Sequence, residues 1–402
     1  MKLRPASPVF SIFLGMLAAL PPLSIDMALP ALVPITAALR TTPDMAGLTL
    51  SLFMAGFAIS PIAYGPLADR FGRRPVLFAG LVLFTAGGLA ATFATSIALL
   101  LGARLAQGAG AGAGMTLAFT ITRDLFEGCA AQTRFAVITV VANIAPIVAP
   151  TLGAVLLGSL GWRGIYGVTA LSGVVLASVV VLGLAETRPS RSPTGPMLPC
   201  LARDYRRVLA HHETLSHIAV NALGFGWMFA YVAGSPLVFL GVFHLAPALY
   251  AAIFACTGSG IVAGAGLNGW LARHAVPPHR VLLAAILFAL AATIALVGLT
   301  VAGRLSLPLF VPLLVLATTC FGLAAPSAAH GALDPVPDLA GIAGGLLTSM
   351  QMLTGAVASL AVALLFPALG ALAMAGTMAV CALAALVIYL PCILPSPVEP
   401  LA

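Results

Sequence analysis

Apolar runs of roughly 20 residues recur twelve times along this chain, and nothing else constrains its fold as strongly. They fall at 9–33, 46–66, 75–96, 98–121, 134–157, 163–184, 215–241, 247–271, 280–301, 308–329, 340–366 and 369–391. A run of about 20 residues is the length that crosses a bilayer as a helix. In hydrocarbon every backbone N–H and C=O must be satisfied within the segment, so each run is expected to be helical. A soluble domain is typically about a quarter charged. This chain of 402 residues is 61% hydrophobic and 7% charged, so the solvent for much of its surface must be lipid. The expected fold class is an all-α membrane protein of twelve transmembrane helices in two pseudo-symmetric six-helix bundles. The opening "MKLRPASPVFSIFLGMLAALPPLSIDM" has the basic start and apolar run of a signal peptide. It lacks a convincing cleavage site and reads as an uncleaved first span.

The longest polar interval, Glu186 to Glu213, is rich in Pro, Ser and Arg and reads as a linker. It divides the chain into an N-terminal bundle (1–187), a linker (188–214) and a C-terminal bundle (215–402). With the N-terminus called "in", fourteen of the eighteen basic residues fall on that side: Lys2, Arg4, Arg70, Arg73, Arg74, Arg123, Arg134, Arg188, Arg191, Arg203, Arg206, Arg207, Arg273 and Arg280. Only Arg40, Arg163 and Arg304 lie on the other side, and Arg104 is inside a span. This bias predicts cytoplasmic termini and a cytoplasmic linker. The halves echo each other: "GPLADRFGRRPVL" joins spans 2 and 3, and "GWLARHAVPPHRVL" joins spans 8 and 9. An echo at matching places supports an internal duplication, common among transporters.

The net charge of +7 sits in short loops without a basic face or interleaved aromatics, so nucleic acid is not an expected partner. The six cysteines form no CxxC pair and read as small packing residues. His330, Asp334 and Asp338 lie in a loop, "HGALDPVPD", whose spacing does not place them on one face; no metal and no cofactor are expected. There is no phosphate loop, nucleophile elbow or zinc signature to support an enzyme or an ATP-driven pump.

The stretch Gly65–Pro75, "GPLADRFGRRP", concentrates one Asp and three Arg in a short loop. Together with the six-plus-six organisation it resembles the loop motif of the major facilitator superfamily. "SIDMALPAL", "GARLAQGAGAGAGM", "TRDLFEG", "APIVAPTLG", "GWRGIY" and "FAYVAGSPLVF" narrow the resemblance to the bicyclomycin-resistance, or Bcr/CflA, branch of drug exporters. Ala28 and Ala154 depart from its usual pattern. The resemblance implies drug/proton antiport at a bacterial inner membrane. It also implies that Asp69 faces the start of helix 11, where Asp338 is a candidate cap, and that Arg73 reaches an acid near the end of helix 4, for which Asp124 is the candidate. Both contacts are expected to join the two halves and to break as the protein turns inward. Gly65 and Gly72 fit a tight turn, and Arg70 and Arg74 need only hold topology. Pro146, Pro150 and Gly153 of helix 5 match the motif that in this family accompanies antiport.

Only Asp26 and Arg104 are ionisable deep within spans. A charge at the bilayer centre costs about 2.5–3.5 kcal/mol on insertion scales, so such residues are usually functional. Both lie roughly 9–10 Å from the outer ends of helices 1 and 4, at 1.5 Å per residue. Burial and a nearby guanidinium act oppositely on a carboxyl's hold on its proton, which suits a group that must both load and release one. Asp26 therefore reads as the proton carrier and drug-competition site, Arg104 as the group that senses it, and Gln107 as a hydrogen-bond partner for either. The candidate substrate pocket is Asn143, Asn221, Phe225, Met228, Tyr231 and Gln351, an apolar surface with few polar groups. The reading is a monomeric efflux transporter whose partners are a small drug, protons and the bilayer. The alternative is a proton-coupled transporter of a natural metabolite, exporting or importing it, with drug efflux incidental.

Overall fold

The computed structural model describes residues 5, 7–126, 128–187 and 197–393; Lys2, Arg4, Arg188 and Arg191 lie outside them. The fold is 90% helical with twelve long helices, and no strand occurs among the described residues. They are α1 (Pro8–Ala38), α2 (Pro43–Phe71), α3 (Arg73–Thr92), α4 (Ile97–Leu125), α5 (128–160), α6 (162–183), α7 (His212–Val242), α8 (Pro247–Arg273), α9 (Pro278–Val301), α10 (Leu307–Leu333), α11 (Ala340–Leu369) and α12 (Ala371–Ile393). Local chemistry sets the ends. Ser7 and Ser96 cap α1 and α4, each hydroxyl accepting a backbone N–H at 3.3 Å. Gly161, with φ 69°, separates α5 from α6, and Gly370, with φ 54°, separates α11 from α12.

The polar interval differs from its reading as linker alone. It contains a helix, Met197–Ala210, whose Val208 is fully buried in a cluster with Ile218, Ala332, Ala343, Leu346 and Leu347.

Two compact units are present. One comprises Met1–Gly195 with Ala233–Ala255 and Ala363–Gly370. The other comprises Pro196–Val232, Cys256–Val362 and Ala371–Ala402. The first unit thus gathers the α7–α8 turn and the end of α11 onto the first six helices. Within it, a β-carbon on Gly47 of α2 would lie 3.1 Å from the Ala363 side chain.

Each unit is knitted by the same helix crossing. In the first, a β-carbon on Gly56 of α2 would overlap the Leu105 carbonyl oxygen, and one on Gly108 of α4 would overlap the Phe53 carbonyl oxygen. In the second, Gly264 of α8 meets the Thr319 carbonyl and Gly322 of α10 meets the Ile261 carbonyl in the same way. In all four cases the carbonyl belongs to the residue three before the partner glycine. Small residues let membrane helices approach to backbone contact, where dispersion and weak polar contacts replace the missing hydrophobic drive. The duplicated crossing relates α2 and α4 to α8 and α10 and gives the sequence echo a structural counterpart.

Because these positions have no room for a side chain, Gly108→Ala and Gly322→Ala should each cost about 1–3 kcal/mol through overpacking. Gly158→Ala, in open space, should be neutral or stabilising by up to about 1 kcal/mol through helix propensity. Thermal midpoints in detergent, followed by size-exclusion of the heated protein, separate the two signs; equal midpoints for all three would refute the packing argument.

Candidate functional site

Asp26 sits where α1 breaks. Pro30 has no N–H to donate to the Asp26 carbonyl, and Pro34 has none for Pro30, so the α-helical ladder cannot run through. The first segment ends at Asp26, a 3-10 turn spans Leu29–Ala31, and the helix resumes at Leu32–Ala38. Asp26 is 5% exposed, and among the described residues its carboxylate has neither a hydrogen-bond nor an ion-pair partner.

Arg104 and Gln107 share one face of α4, three residues apart, and are 1% and 0% exposed. Arg104 Nη1 donates to Gln107 Oε1 at 2.7 Å and Nη2 to the Ser24 carbonyl at 3.2 Å. The guanidinium lies over Phe53, 4.3 Å from the ring centroid, and 5.4 Å from that of Tyr166. Gln107 Nε2 donates to Thr169 Oγ1 at 3.2 Å. Arg104 Nε, Ser24 Oγ and Tyr166 OH are buried without partners. The structure therefore joins Arg104 to Gln107 and to the backbone two residues before Asp26, but forms no Asp26–Arg104 ion pair. Gln107 bonds Arg104, not Asp26. A guanidinium held by carbonyls and rings, beside a carboxylate held by nothing, is an arrangement in which a proton or a ligand can change the local charge balance.

Helix α5 abuts the break. A β-carbon on Gly153 would collide with the Met27 carbonyl, one residue beyond Asp26. Pro150 is buried and Pro146 half-buried on the same helix. The glycine of the candidate antiport motif is thus where α5 touches the backbone of α1 at its break.

At the α2–α3 turn, Gly72 has φ 100°, a conformation L side chains avoid, and the Glu186 carboxylate fills the space a β-carbon would take. Arg73 Nε donates to Asp124 Oδ2 at 2.8 Å and Nη1 pairs with Asp69 Oδ1. Glu186 accepts the Arg73 and Arg74 backbone N–H groups at 2.8 and 3.2 Å, capping α3 from just beyond α6. Three readings are corrected here. Gly65 lies within α2 and takes no part in the turn. The Arg73–Asp124 bond joins α3 to α4 inside the first unit and cannot tie the halves together. Arg74 does more than hold topology, since it donates to the Val180 and Val181 carbonyls at the end of α6. The Asp69 side chain is 49% exposed. Asp338 lies in a 3-10 turn, Pro337–Leu339, just before α11.

Of the candidate substrate residues, Asn143 is exposed on α5 in the first unit and the other five lie in the second. Gln351 Nε2 donates to Asn221 Oδ1, and Asn221 Nδ2 donates to the Ala325 carbonyl at 3.0 Å, linking α7, α10 and α11. Phe225 stacks on Phe229 at 4.4 Å and meets Phe321 edge-on at 5.9 Å. Tyr231 is buried, its hydroxyl 2.7 Å from Thr257 Oγ1, and Met228 is half-buried.

The sequence pattern of the Major Facilitator Superfamily matches residues 14–359. The chain belongs to this superfamily. It is 29% identical over 348 residues to the MFS-type transporter YdgK of Bacillus subtilis, covering 86% of each. It is 29% identical to the bicyclomycin resistance protein homolog of Haemophilus influenzae and 30% identical to the multidrug resistance protein MdtL of Escherichia coli, over 58–59% of this chain and 59% of each relative. Among solved structures, a POT family transporter in complex with 5-aminolevulinic acid superposes with TM-score 0.76 at 14% identity, covering 98% of this chain and 97% of that one. The D-xylose–proton symporter gives 0.70 at 12%, covering 94% and 97%. The protein is a multi-pass membrane transporter of small molecules.

Sequence reasoning missed Glu186, Phe53, Tyr166 and Thr169. Glu186 was legible in principle, as an acid directly after a span facing a helix start with free N–H groups. The other three are apolar or neutral residues that only the helix packing brings to Arg104. Removing Arg73 should expose its value: Arg73→Gln leaves Asp124, whose side chain is 8% exposed, without its cation and should cost about 3 kcal/mol. Glu186→Gln should cost only about 1 kcal/mol, as a weakened cap. Unfolding of each variant in detergent checks the order; a reversed ranking would refute the pairing account.

Proposed function

We propose that the protein is a multidrug efflux transporter that exports small amphipathic drugs in exchange for protons by alternating access. The observation that carries this reading is Asp26, a buried carboxylate at a helix break with no partner among the described residues. Such a group is free to take a proton or to meet a ligand. In the cycle, the ionised carboxylate takes a proton from outside, carries it inward as the neutral acid, and releases it to the cytoplasm as drug enters. Arg104, permanently charged and held by Gln107 and the Ser24 carbonyl, supplies the field that favours release. Gly153, seated on the Met27 carbonyl, keeps α5 closed against the break, so that protons do not leak when no drug is present.

One deep acid gives one proton per cycle. A pH unit is worth about 1.4 kcal/mol and 100 mV about 2.3 kcal/mol per charge. Together they sustain a drug ratio of several hundred. The names of the bicyclomycin-resistance and MdtL relatives support placement in the Bcr/CflA branch, with drugs as the substrate class. Asn221, Gln351, Phe225, Met228, Tyr231 and Asn143 are the proposed contacts. Half-exposed Asp69 is the proposed latch toward the start of α11. The protein works as a monomer in the bacterial inner membrane, its termini and linker cytoplasmic.

The test is a drug-susceptibility panel in a pump-deficient bacterium, comparing wild type with Asp26→Asn at equal membrane expression. Resistance to bicyclomycin or a phenicol is expected in wild type and should vanish in the mutant. Resistance that survives Asp26→Asn sinks Asp26 as the proton carrier, and no resistance to any compound moves the substrate to a natural metabolite.

A further inference from the structure

We infer that the cytoplasmic end of the second bundle holds a binding site for a small hydrogen-bonding organic cation, a guanidinium or primary ammonium compound, separate from the site around Asp26. A cavity of about 320 Å³ opens there among the starts of α7 and α9 and the ends of α10 and α12. Glu213, His217, His279, His330, Asp334 and Tyr389 line it. All belong to the second unit.

The first bundle shows what fills the matching place. By helix order, α3, α4 and α6 correspond to α9, α10 and α12. In the first bundle the guanidinium of Arg73 occupies the junction and is bound by Asp69 and Asp124. The loop echo aligns Val76 and Leu77 with Val281 and Leu282, and all four are buried. Counting back, Arg73 corresponds to Pro278 and Arg74 to His279. Asp334, directly after α10, puts an exposed carboxylate at the end of the helix that corresponds to α4, about one turn short of the place the Gly108–Gly322 match gives Asp124. The second bundle therefore keeps a carboxylate but has no arginine to meet it. Arg280, one residue further on, is exposed and outside the cavity lining.

The lining suits a cation. The Glu213 and Asp334 carboxylates are exposed at the mouth of the cavity, and neither has a hydrogen-bond or ion-pair partner among the described residues. His217 Nδ1 donates to the Glu213 carbonyl at 2.9 Å, which leaves Nε2 as an acceptor in the neutral ring. The His217 ring stands edge-on to Tyr389 at 5.8 Å, and the Tyr389 hydroxyl donates to the His279 carbonyl at 3.3 Å, so these walls are braced. Two carboxylates, imidazole acceptors and aromatic surface together recognise N–H-bearing cations. Among the described residues no three His, Cys, Asp or Glu are placed to hold a metal ion, so the ligand is organic. Once bound, it would tie the ends of α7, α9 and α10 as Arg73 ties α2, α3 and α4.

The probe is labelled ethylguanidinium in equilibrium dialysis against the purified full-length protein in detergent, with tetramethylammonium and phosphate as competitors. One equivalent should bind saturably and be displaced by neither competitor. Glu213→Gln and Asp334→Asn should each weaken binding at least about tenfold, about 1.4 kcal/mol. His279→Arg, which supplies a guanidinium of its own, should abolish it. Asp26→Asn should leave it intact, which separates this site from the transport site whatever the fate of the efflux reading. The inference is overturned if wild type shows no saturable binding. Equal displacement by tetramethylammonium overturns it too, as does binding that survives Asp334→Asn and Glu213→Gln but is lost in Asp26→Asn. Should His279→Arg not fold, exposed Glu213 gives a variant that decides the question alone.

Discussion

The backbone-to-backbone crossing of α2 with α4 is the contact on which the rest of the first bundle depends. Gly56 and Gly108 bring the two helices close enough that each lies against a carbonyl of the other. Gly110 lies against the Phe84 amide nitrogen and the Gly80 carbonyl of α3, and Gly114 against the Leu17 carbonyl of α1. A single glycine ladder thus turns α4 into the hub of its bundle. The hub carries Arg104 into the interior, where Phe53 of α2, Ser24 of α1 and Tyr166 of α6 can surround it. A wider helix spacing would leave that guanidinium without carbonyls or rings, and an uncompensated buried charge is among the most costly features a protein can hold.

The break in α1 is the complementary device. A proline-interrupted helix leaves backbone carbonyls without their usual donors, which is tolerated at membrane depth only where protein or a cavity covers them. Here α5 covers the Met27 carbonyl by presenting Gly153 to it. The candidate carboxylate and the candidate antiport glycine are therefore two sides of one structural problem. Prolines open the helix at Asp26, and a residue without a side chain closes it from the neighbouring helix. That contact ties the backbone break beside Asp26 directly to helix 5.

Much of this is legible in the amino-acid sequence. Twelve apolar runs become twelve helices because in lipid the backbone has no alternative. Asp26 and Arg104 stood out because charge at that depth is rare. The limits are equally physical. Periodicity could not say that Asp26 and Arg104 share a neighbourhood without pairing, since that depends on the α1 break and on the rotamer the Phe53 and Tyr166 rings impose. The extent of α1 to Ala38 was obscured by Pro30 and Pro34, which read as an end and prove to be a kink. Gly65 fits a turn by composition, whereas the backbone reverses only at Gly72, the one residue there with positive φ. The helix Met197–Ala210 was hidden in an interval whose Pro, Ser and Arg content reads as linker.

The two bundles share their crossing geometry yet differ at the ends where α3 and α9 begin. In the first, Arg73, Asp69, Asp124 and Glu186 satisfy one another within the chain. In the second, the cavity at the start of α9 is lined by carboxylates and imidazoles and, among the described residues, by no Lys or Arg. Duplication supplies two equivalent junctions, and selection for packing alone would fill both. A junction closed by its own side chains needs nothing from solvent, whereas one lined with exposed carboxylates is left open to a cation. The asymmetry therefore distinguishes the two ends: the first is closed by ion pairs within the chain, and the second leaves a cavity lined by exposed carboxylates and imidazoles.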